Sequence, residues 1–443
     1  MYNKSRFNYK GTSIRFPFIV FGFVLVPLLI SMTFASEVSF NIYLVIIMLG
    51  LVSVFITSGF YLPLSIYEKY FVTKEKNSSS FFLPPVTIIV PAYNEERVLA
   101  RALDAIVEVD YLNKEVIVVD DGSTDQTHII ALKYRDKFQN ISSRYSVLSK
   151  LNGGKASAIN YALQFSKTDI VIIIDADSII SRNAIKSIVK YFYNSNVVGV
   201  AGYIRVFNSA NLLTSCTALE TVTAWNSVGR AHSLLGTIMI IPGALGAFRK
   251  KRVMERGFYG KDTLTEDFDL TISLLKTGEV IRFDESSLCY TEVPNNLKDL
   301  YNQRKRWYAG NLQTLIRHVN TLTNNAYGIL HKLGYPMTLF LYLVRPIWSI
   351  LIPISLTLAL LGNRYMPVII SFLAFVSLQF LISAISVIMD GQKGSLKLIL
   401  YSPLMIIGYQ QILDIILIKS IFDILFHRKM KWTKARRLNQ NTS

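Results

Sequence analysis

Long apolar stretches lie toward both ends of this chain, and a region of shorter patterns lies between them. The run from Phe16 to Ala35 is almost wholly apolar. At about 20 residues it is long enough to cross a bilayer core of about 30 Å. A second run extends from about residue 40 to residue 66, so residues 16–66 are predicted to form two transmembrane helices. A cleaved signal peptide is the alternative for the first run, but no clear small-residue cleavage site follows it.

Two further apolar runs follow the central region, from about residue 337 to 361 and from about 366 to 389. Residues 396–426 are also long enough to cross a membrane, but they contain polar and charged side chains: Gln410, Gln411, Asp414, Lys419 and Asp423. A re-entrant or interfacial segment is slightly favoured because it keeps the basic tail inside, and a tilted fifth span is the alternative. Residues 336–426 are therefore predicted to contain two to three transmembrane helices.

Positive charge at the two ends orients these predicted spans. Residues 1–15 contain four basic side chains and no acidic one, and residues 427–443 form a basic tail. Because cytoplasmic segments of membrane proteins are rich in Lys and Arg, the N-terminus and the central region are predicted to be cytoplasmic. The 443-residue chain is 51% hydrophobic and has a net charge of +17. We expect no nucleic-acid partner, because no nucleic-acid-binding signature accompanies this charge.

The central region, residues 84–296, has the pattern of an α/β domain and follows a linker at residues 67–83. Short β-branched runs at 86–90, 115–119 and 169–174 are predicted strands. Their alternation with helices predicts a mostly parallel sheet. Each strand is followed by a loop with carboxylates, and ligands of such sheets bind at the carboxyl ends of the strands.

Further elements are predicted from the same patterns. Residues 197–206 are a predicted strand, and helices are expected at 95–107, 183–192, 211–235 and 266–277. Residues 297–318 are predicted to form an amphipathic, basic and aromatic helix along the cytoplasmic membrane face. This helix begins an interface region assigned to residues 297–335.

Three loops of the central region contain groups suited to a nucleotide and a metal. Asp175 and Asp177 are two residues apart at a strand end and point to one side, as a site for a hard divalent cation requires. Asp120 can accept a hydrogen bond from the ring N–H of a uracil base. Lys155 follows a Gly-Gly pair suited to a diphosphate. The alternative for these carboxylates, and for Asn94 and Asp121, is that they form turns or cap helices.

Two motifs further along the chain suggest catalysis. Asp267 lies in a predicted first helical turn, where the helix dipole keeps it ionised and able to take a proton. Thr263 to Glu266 fits a capping box, which would make Glu266 structural. Gln303, Arg306 and Trp307 share one helix face. The planar guanidinium of Arg306 can bind a phosphate with two hydrogen bonds, and the ring of Trp307 offers a flat surface for a sugar. An interfacial helix anchored by these side chains is the alternative.

Arg345 is an ionisable residue within a predicted membrane span. Such groups usually face protein or a water-filled path, so Arg345 is a candidate for lining a route for a polar polymer. The alternative is that it lies near the interface and extends to the headgroups.

Taken together, these motifs resemble the processive, membrane-integrated members of glycosyltransferase family 2. That group includes hyaluronan, cellulose, chitin and poly-N-acetylglucosamine synthases, and the chain looks most like the last of these. The resemblance rests on Thr265-Glu266-Asp267-Phe268-Asp269-Leu270, Gly246-Ala247-Phe248-Arg249 and Gln303-Arg304-Lys305-Arg306-Trp307. It implies a GT-A fold between flanking transmembrane helices, a UDP-sugar donor, Mg²⁺ or Mn²⁺, and inversion at the anomeric carbon. It also implies a growing polysaccharide as acceptor, and it allows a small membrane partner subunit.

The resemblance also implies roles for individual residues. Asp120 and the loop at Ala92, Tyr93 and Glu95 would contact the uridine, and Lys155 would contact the nucleotide diphosphate. Asp175 and Asp177 would hold ribose and metal. Asp267 would be the catalytic base, with Glu266 beside it. Contacts with the acceptor, the diphosphate and the sugars are implied for Gln303, Arg306, Trp307, Gly246, Phe248 and Arg249.

Some features depart from the family patterns. Poly-N-acetylglucosamine synthases often have Gly where this chain has Ala176, and hyaluronan synthases usually have a different acidic motif at Thr265-Glu266-Asp267. No room follows Phe426 for the cyclic-dinucleotide-sensing domain of bacterial cellulose synthase. Cellulose is therefore less favoured, and the resemblance to poly-N-acetylglucosamine synthases selects N-acetylglucosamine as the expected sugar. The alternatives are a hyaluronan- or chitin-type synthase, transfer of one sugar to a polyprenyl phosphate, and a catalytically silent transporter or scaffold.

Overall fold

A computed structural model describes part of this chain: Gly50 and residues 59–72, 82–141, 143–347, 351, 365–392, 394–406 and 408–428. The predicted span at 16–35, most of the second at 40–66, and the basic segments 1–15 and 429–443 lie outside the described residues. The predicted span at 337–361 is described only in its first part and at Leu351.

A sheet forms the centre of the α/β domain. The described residues contain the strands β1 (Val86–Ala92), β2 (Lys114–Asp120), β3 (Arg144–Ser149), β4 (Ile170–Ile173), β5 (Ile179–Ile180), β6 (Val197–Val206), β7 (Gly246–Arg249) and β8 (Val280–Thr291). Their order is β3-β2-β1-β4-β7-β6-β8-β5. The pairs β1–β2, β1–β4, β2–β3 and β6–β8 are parallel. β7 is antiparallel to β4 and β6, and β5 is antiparallel to β8. The predicted α/β fold with a mainly parallel sheet is confirmed.

β1 lies inside this sheet and is buried along its whole length. Ile88 and Val90 belong to an apolar cluster on one face of the sheet, whereas Ile89 belongs to a second cluster on the other face. A strand covered on both faces has a continuous apolar sequence instead of an alternating one. Because β1, β2 and β4 are parallel, the loops that follow them lie at the same edge of the sheet.

Helices cover the sheet and continue into the C-terminal region. They are α1 (Leu62–Tyr67), α2 (Leu99–Val107), α3 (Thr127–Lys133), α4 (Arg135–Asn140), α5 (Lys155–Phe165), α6 (Ala184–Ile188), α7 (Leu212–Thr223), α8 (Arg230–Leu235), α9 (Lys250–Glu255), α10 (Glu266–Leu275), α11 (Leu297–Arg317), α12 (Tyr335–Leu343), α13 (Tyr365–Asp390) and α14 (Tyr409–Leu425). A π-helical turn, Ala224–Gly229, joins α7 to α8, and a 3₁₀ segment, Ser395–Met405, lies between α13 and α14.

Most predicted elements are present, with differences at their ends. The predicted strand 197–206 agrees with β6, and the predicted helix 211–235 corresponds to α7, the π turn and α8. The helix predicted from Glu95 begins only at Leu99. Side chains that follow β2 accept hydrogen bonds from the backbone N–H groups of Asn94 and Glu95, namely Ser123 Oγ at 3.0 Å and Thr127 Oγ1 at 2.7 Å. These bonds hold the segment as a turn. β3, β5, β7 and β8 were not predicted, because short or mixed runs lack a clear period.

One helix of the described part meets the length and apolarity needed to cross a membrane, within Leu373–Asp390 of α13. The segment Ser395–Met405 and α14 reach the same threshold together but meet at 62°. This bend fits either a broken span or a re-entrant loop, so both alternatives for residues 396–426 stay open. Glu68, the residue after α1, forms a buried ion pair with the α/β domain between its Oε2 and Arg230 Nη1, at 2.9 Å.

Candidate active site

The loop that follows β1 lies beside the loop that follows β2. Ala92 is the last residue of β1 and is buried, and its carbonyl accepts a hydrogen bond from the N–H of Asp121 at 2.9 Å. Asn94 Oδ1 accepts one from the N–H of Thr124 at 2.8 Å. Tyr93 and Glu95 lie in this turn. The structure therefore brings the predicted uridine contacts to one edge of the sheet.

Asp120, at the end of β2, is buried and held in a fixed orientation. Its Oδ1 accepts a hydrogen bond from the N–H of Ser123 at 3.0 Å, and its Oδ2 lies 3.2 Å from Nδ1 of His128. The predicted acceptor for a base N–H is thus preorganised. His128 was missed in the sequence, because a single histidine in a helix has no distinguishing pattern.

Asp121 organises the glycine loop and does not cap a helix as one alternative proposed. Its buried carboxylate accepts hydrogen bonds from the N–H of Gly153 at 3.1 Å and of Gly154 at 2.7 Å, and it pairs with Lys150 Nζ at 2.6 Å. Gly154 has φ +84°, a conformation that favours glycine. This loop leads directly into α5, whose first residue is Lys155.

Lys155 lies between the carboxylates of Asp175 and Glu266. Its Nζ lies 2.5 Å from Asp175 Oδ1 and 3.8 Å from Glu266 Oε1. Burial lowers the pKa of Lys155, but the negative charges of Asp175, Glu266 and Asp267 outweigh burial and raise that pKa above its usual value. Lys155 is therefore a permanent cation. A Cβ on Gly243 would come within 2.3 Å of its Nζ, so a larger residue at 243 would require the end of the Lys155 side chain to shift.

Asp267 lies in the first turn of α10. The predicted capping box is wrong: Thr265 is the N-cap, its side chain makes no capping hydrogen bond, and Thr263 Oγ1 instead reaches the carbonyl of Thr265 at 3.3 Å. Burial and the charge of Glu266 raise the pKa of Asp267 from 3.8 to about 6, while the positive charges of Lys155 and Arg306 oppose this shift. A carboxylate with a pKa of about 6 is ionised at neutral pH, yet basic enough to accept a proton from a hydroxyl in a transition state.

α11 crosses the start of α10 at very short range. A Cβ on Gly310 would lie 2.7–2.8 Å from the side chain and backbone nitrogen of Thr265. The N–H of Leu264 donates to Gln313 Oε1 at 3.3 Å. Glycine thus lets α11 approach the α10 N-terminus, and the positive charge of Arg306, in the same helix as Gly310, lowers the pKa of Asp267.

The C-terminal part of α11 holds α10 from the other side. Asp269, which is buried, lies 3.0 Å from Nε2 of His318 and 3.6 Å from Nη1 of Arg317. Lys276 Nζ lies 2.8 Å from Nδ1 of the same histidine. These polar contacts fix the rotation of α10 about its axis, and therefore the direction of its first turn.

The other two residues of the α11 motif, Gln303 and Trp307, lie seven and three residues before Gly310, which is about two turns and one turn of the helix. Gln303 Oε1 is buried and has no hydrogen-bond partner among the residues that the structure describes, which leaves an acceptor for a ligand hydroxyl. Trp307 is half-buried, and the Arg304 guanidinium lies over its ring, 4.8 Å from Cζ to the centroid.

Arg249 and Phe248 do not lie where they were expected. β7 is antiparallel to β4, so Gly246 pairs with Ile173 near the site, whereas Arg249 pairs with Ile170 at the opposite edge. The Arg249 guanidinium donates hydrogen bonds to the carbonyls of Val197, Phe192 and Asn194 at 2.7–2.9 Å, and Phe248 is buried in the core. The structure gives both residues a structural position in place of the predicted sugar contact.

Arg345 lies beyond α12 and faces protein. Its Nη2 is 3.1 Å from Oδ1 of Asp414 in α14. The Nε atom of Arg345 and the second oxygen of Asp414 are buried and have no hydrogen-bond partner among the described residues. The alternative in which Arg345 extends freely to the headgroups therefore does not fit this contact.

The residues present fit a divalent cation that is shared with a substrate. Asp175 and Asp177 provide the oxygen ligands that Mg²⁺ and Mn²⁺ prefer. The described part contains no group of three His, Cys, Asp or Glu side chains able to hold a metal by themselves. Two protein carboxylates leave most coordination positions for phosphate and water, which is how Mg²⁺ is commonly bound beside nucleotides.

The mainly parallel sheet, with a lysine and several carboxylates at one edge, has the arrangement of a GT-A-like α/β domain. Residues 87–257 match the family model "Glycosyl transferase family 2". We therefore assign this segment to glycosyltransferase family 2, and the chain is a glycosyltransferase.

Individual known proteins are similar to this chain at low identity. The poly-beta-1,6-N-acetyl-D-glucosamine synthase of Staphylococcus aureus (strain COL) is 28% identical over 250 residues, which cover 56% of this chain and 60% of the synthase. The matched part is thus less than two thirds of that protein. A probable glycosyltransferase of Bacillus subtilis (strain 168), YdaM, is 28% identical over 397 residues, 85% of this chain and 93% of the relative.

A solved structure shows the same fold. It is a mannosyltransferase from Pyrobaculum calidifontis in complex with GDP-Man and Mn²⁺, with a TM-score of 0.56 at 18% identity over 82% of this chain and 96% of that chain. At this identity the likeness concerns the fold alone. It agrees with the GT-A-type sheet described above.

Proposed function

We propose that this protein is an inverting, processive glycosyltransferase. It polymerises N-acetylglucosamine from a UDP-sugar donor into a β-linked polysaccharide and guides the product across the cell membrane. The enzyme spans the membrane several times, with its catalytic domain in the cytoplasm. A small membrane partner subunit belongs to this proposal, as the resemblance allows one.

One observation carries the proposal: the start of α10 lies against α11 at Gly310. Lys155 Nζ lies 3.8 Å from the neighbouring Glu266, and the positive charges of Lys155 and Arg306 both lower the pKa of Asp267. A base that feels two cations suits a reaction in which a hydroxyl loses its proton while a diphosphate leaves. Trp307 on the same helix provides the flat apolar surface on which a sugar of the growing chain lies.

In the proposed reaction, Asp267 takes the proton of an acceptor hydroxyl. The oxygen of this hydroxyl attacks the anomeric carbon of the donor, a new glycosidic C–O bond forms, and the bond to the β-phosphate oxygen breaks. UDP leaves with the electron pair, and the configuration at the anomeric carbon inverts. Lys155 and Arg306 stabilise the charge that develops on the diphosphate. Mg²⁺ or Mn²⁺ held by Asp175 and Asp177 would supply further positive charge for the leaving group.

The choice of N-acetylglucosamine rests on the motifs of α10 and α11 and on a relative's name. The similar Staphylococcus aureus protein is named as a poly-beta-1,6-N-acetyl-D-glucosamine synthase. The mannosyltransferase structure was obtained with a GDP-sugar and Mn²⁺, which supports a nucleotide-sugar donor and a divalent metal for this site. Asp120 would accept from the uracil N–H, as a UDP-sugar requires.

The membrane part of the proposal rests on the apolar runs and on α13. A helix of this apolarity beside a cytoplasmic catalytic domain provides a route by which the product leaves the site. Arg345 and Asp414 would offer polar atoms along that route, since buried charges within membrane segments commonly mark polar pathways.

The test is a product analysis with the full chain in detergent. The protein is incubated with UDP-N-acetylglucosamine, UDP-glucose or UDP-glucuronic acid, with Mg²⁺, Mn²⁺ or EDTA, and the product is sized on a gel and digested with linkage-specific hydrolases. We expect a metal-dependent polymer from UDP-N-acetylglucosamine that a β-1,6-specific hydrolase degrades. A product with one sugar on added polyprenyl phosphate would establish the single-transfer alternative. Absence of UDP release with every donor would contradict the proposal.

A further inference from the structure

Arg304 belongs to the α11 motif, and its guanidinium contacts α7. Both of its terminal nitrogens bind Glu220: Nη1 lies 3.0 Å from Oε1 and Nη2 lies 2.6 Å from Oε2. This is a two-bond fork between a planar guanidinium and a carboxylate, which fixes the guanidinium plane as well as its position. The same guanidinium lies over the ring of Trp307, at 4.8 Å.

Glu220 is itself held from α14. The hydroxyl of Tyr409 donates to Glu220 Oε2 at 2.6 Å, and it lies 3.0 Å from Thr217 Oγ1. Apolar side chains of α7, α11 and α14 surround these groups in one cluster, which includes Leu219, Leu300 and Leu413. The contacts therefore form a chain from α14 through Glu220 and Arg304 to the indole of Trp307.

We propose that Glu220 and Arg304 are positioning residues for Trp307. In this proposal, the carboxylate of Glu220 fixes the guanidinium of Arg304, and the guanidinium fixes one face of the Trp307 ring, so that the other face is presented to the sugar of the acceptor. Because Tyr409 of α14 donates a hydrogen bond to Glu220, the orientation of the ring also depends on the position of α14. The inference rests on the proposed function, because it assigns an acceptor sugar to the free face of the ring.

The physical argument is that this ion pair has little value as a stabilising contact. The side chain of Arg304 is 10% exposed and that of Glu220 is 25% exposed. Replacing an ion pair that is largely removed from water by apolar groups is often neutral or stabilising, because desolvation offsets the attraction. Arg304 Nε is buried and has no hydrogen-bond partner among the described residues, which adds to the cost. A charged fork in this apolar cluster therefore serves orientation, and the orientation that it fixes is that of Trp307.

Two variants test this with the intact enzyme in detergent, using UDP-N-acetylglucosamine and a β-1,6-linked N-acetylglucosamine pentamer as acceptor. Glu220→Gln removes the charge but keeps the shape, and Arg304→Lys keeps the charge but loses the fork and the planar stack. We expect each to raise the KM for the pentamer by about 5- to 30-fold, the range that the loss of a cation–π contact predicts. Hydrolysis of UDP-N-acetylglucosamine without the pentamer should stay at the wild-type rate.

Two further variants separate positioning from simple docking of the helices. Asp423→Asn breaks the pair with Lys305, another contact between α11 and α14, at 2.7 Å. It leaves Arg304 and Trp307 untouched, so the KM for the pentamer should not change. The double exchange Glu220→Arg with Arg304→Glu restores an ion pair but puts a carboxylate beside the ring, so the high KM should persist. A normal KM in the double exchange, or the same increase in Asp423→Asn, would overturn the inference.

A spectroscopic measurement makes the test independent of the substrate. The four tryptophans of the chain are labelled with 5-fluorotryptophan, and the ¹⁹F resonance of Trp307 is assigned by its loss in Trp307→Phe. We expect this resonance to shift and broaden in Glu220→Gln and Arg304→Lys, and to stay unchanged in Asp423→Asn. An unchanged resonance in the first two variants would refute the positioning role even if the proposed sugar is wrong. Absence of any wild-type transfer would instead count against the proposed function.

Discussion

The two sides of the candidate site are built in different ways. On the sheet side, Asp120, Asp121, Lys155 and Asp175 lie in loops directly after strands or at a helix start, and they are fixed by neighbours within the same edge of the sheet. On the helix side, Asp267, Arg306 and Trp307 depend on how α11 lies against α10 and α7. The sheet side is therefore a local construction, whereas the helix side is a product of helix packing.

This difference teaches that the two sides can be damaged separately. A change in a strand-end loop alters the groups proposed to hold the nucleotide and leaves α11 in place. A change between α10 and α11 moves the proposed base relative to the proposed acceptor platform and leaves the nucleotide groups in place. KM values for donor and acceptor should consequently respond to different residues.

The largest effect on the rate of transfer is expected at Asp267, where the helix side faces the sheet side. Asp267→Asn keeps the size of the side chain but cannot accept a proton, so transfer should fall by about 10²–10⁴-fold. UDP release measured with a coupled assay checks this, and binding of UDP checks that the sheet side is intact. Transfer at the wild-type rate would exclude Asp267 as the base.

Gly310→Ala should disturb the packing of α11 against α10 and leave the strand-end loops of the sheet side unchanged. The new methyl group would meet the backbone of Thr265 at 2.8 Å, so α11 must move away from α10. We expect a loss of transfer of about 10- to 100-fold, with a loss of stability of about 1–3 kcal/mol.

Gly229→Ala is the matched control for this change, because its methyl group meets a side-chain atom of Trp225 at 2.8 Å and lies outside the site. UDP binding should be normal in both variants. Equal transfer by Gly310→Ala and the wild type would contradict the role assigned to this contact.

The pH dependence should report the helix side through Asp267. Its pKa of about 6 means that the base is ionised above this pH and protonated below it. The rate of transfer should therefore fall as the pH falls, approaching about tenfold per pH unit below pH 6, and level off towards neutral pH. Initial rates at saturating donor between pH 5 and 8 check this. A profile that stays flat down to pH 5 would rule out a base with this pKa.

Asp121→Asn should damage the sheet side alone. The amide cannot accept from both glycine N–H groups while pairing with Lys150, so the loop before Lys155 loosens. We expect the KM for the UDP-sugar to rise by about tenfold, because a positioned charge-assisted contact contributes roughly 1.5–3 kcal/mol.

The KM for the oligosaccharide acceptor should stay unchanged in Asp121→Asn. Asp104→Asn serves as the control, since it breaks an exposed pair with Lys137 of similar length, 2.8 Å. If Asp121→Asn raised the KM for the acceptor and left the KM for the donor unchanged, the assignment of the donor to the sheet side would be contradicted.

The smallest effect on activity is expected for Arg249→Gln. Three carbonyls lose a charged donor, so the free energy of unfolding should decrease by about 1–3 kcal/mol. Neither KM should change, because Arg249 lies at the edge of the sheet opposite the site. Measurements of thermal unfolding and of both KM values check this prediction. A changed KM at unchanged stability would instead support the sugar contact that the family motif implies for Arg249.

The residues show which parts of this arrangement follow from local sequence. β-branched runs predicted β1, β2, β4 and β6, because a strand buried on both faces needs a continuous apolar run. The parallel order then places Asp120 and Asp175 at one edge. The first turn of α10 was predicted as well, although its capping box was not formed. β3 and β8 were missed, since their side chains are only partly buried and their patterns are mixed.

The sequence by itself determined the buried strands β1, β2, β4 and β6, the helix faces and the residues that bear the candidate chemistry, because these follow from short-range periodicity and side-chain type. Only the tertiary structure decided that Gly310 lies against Thr265. It also decided that Glu220 binds Arg304, 84 positions away in the chain. The direction of β7 places Arg249 opposite the site and Gly246 near it. Contacts between distant segments depend on the direction of each strand and on how closely two helices can approach. A local sequence pattern predicts neither of these features.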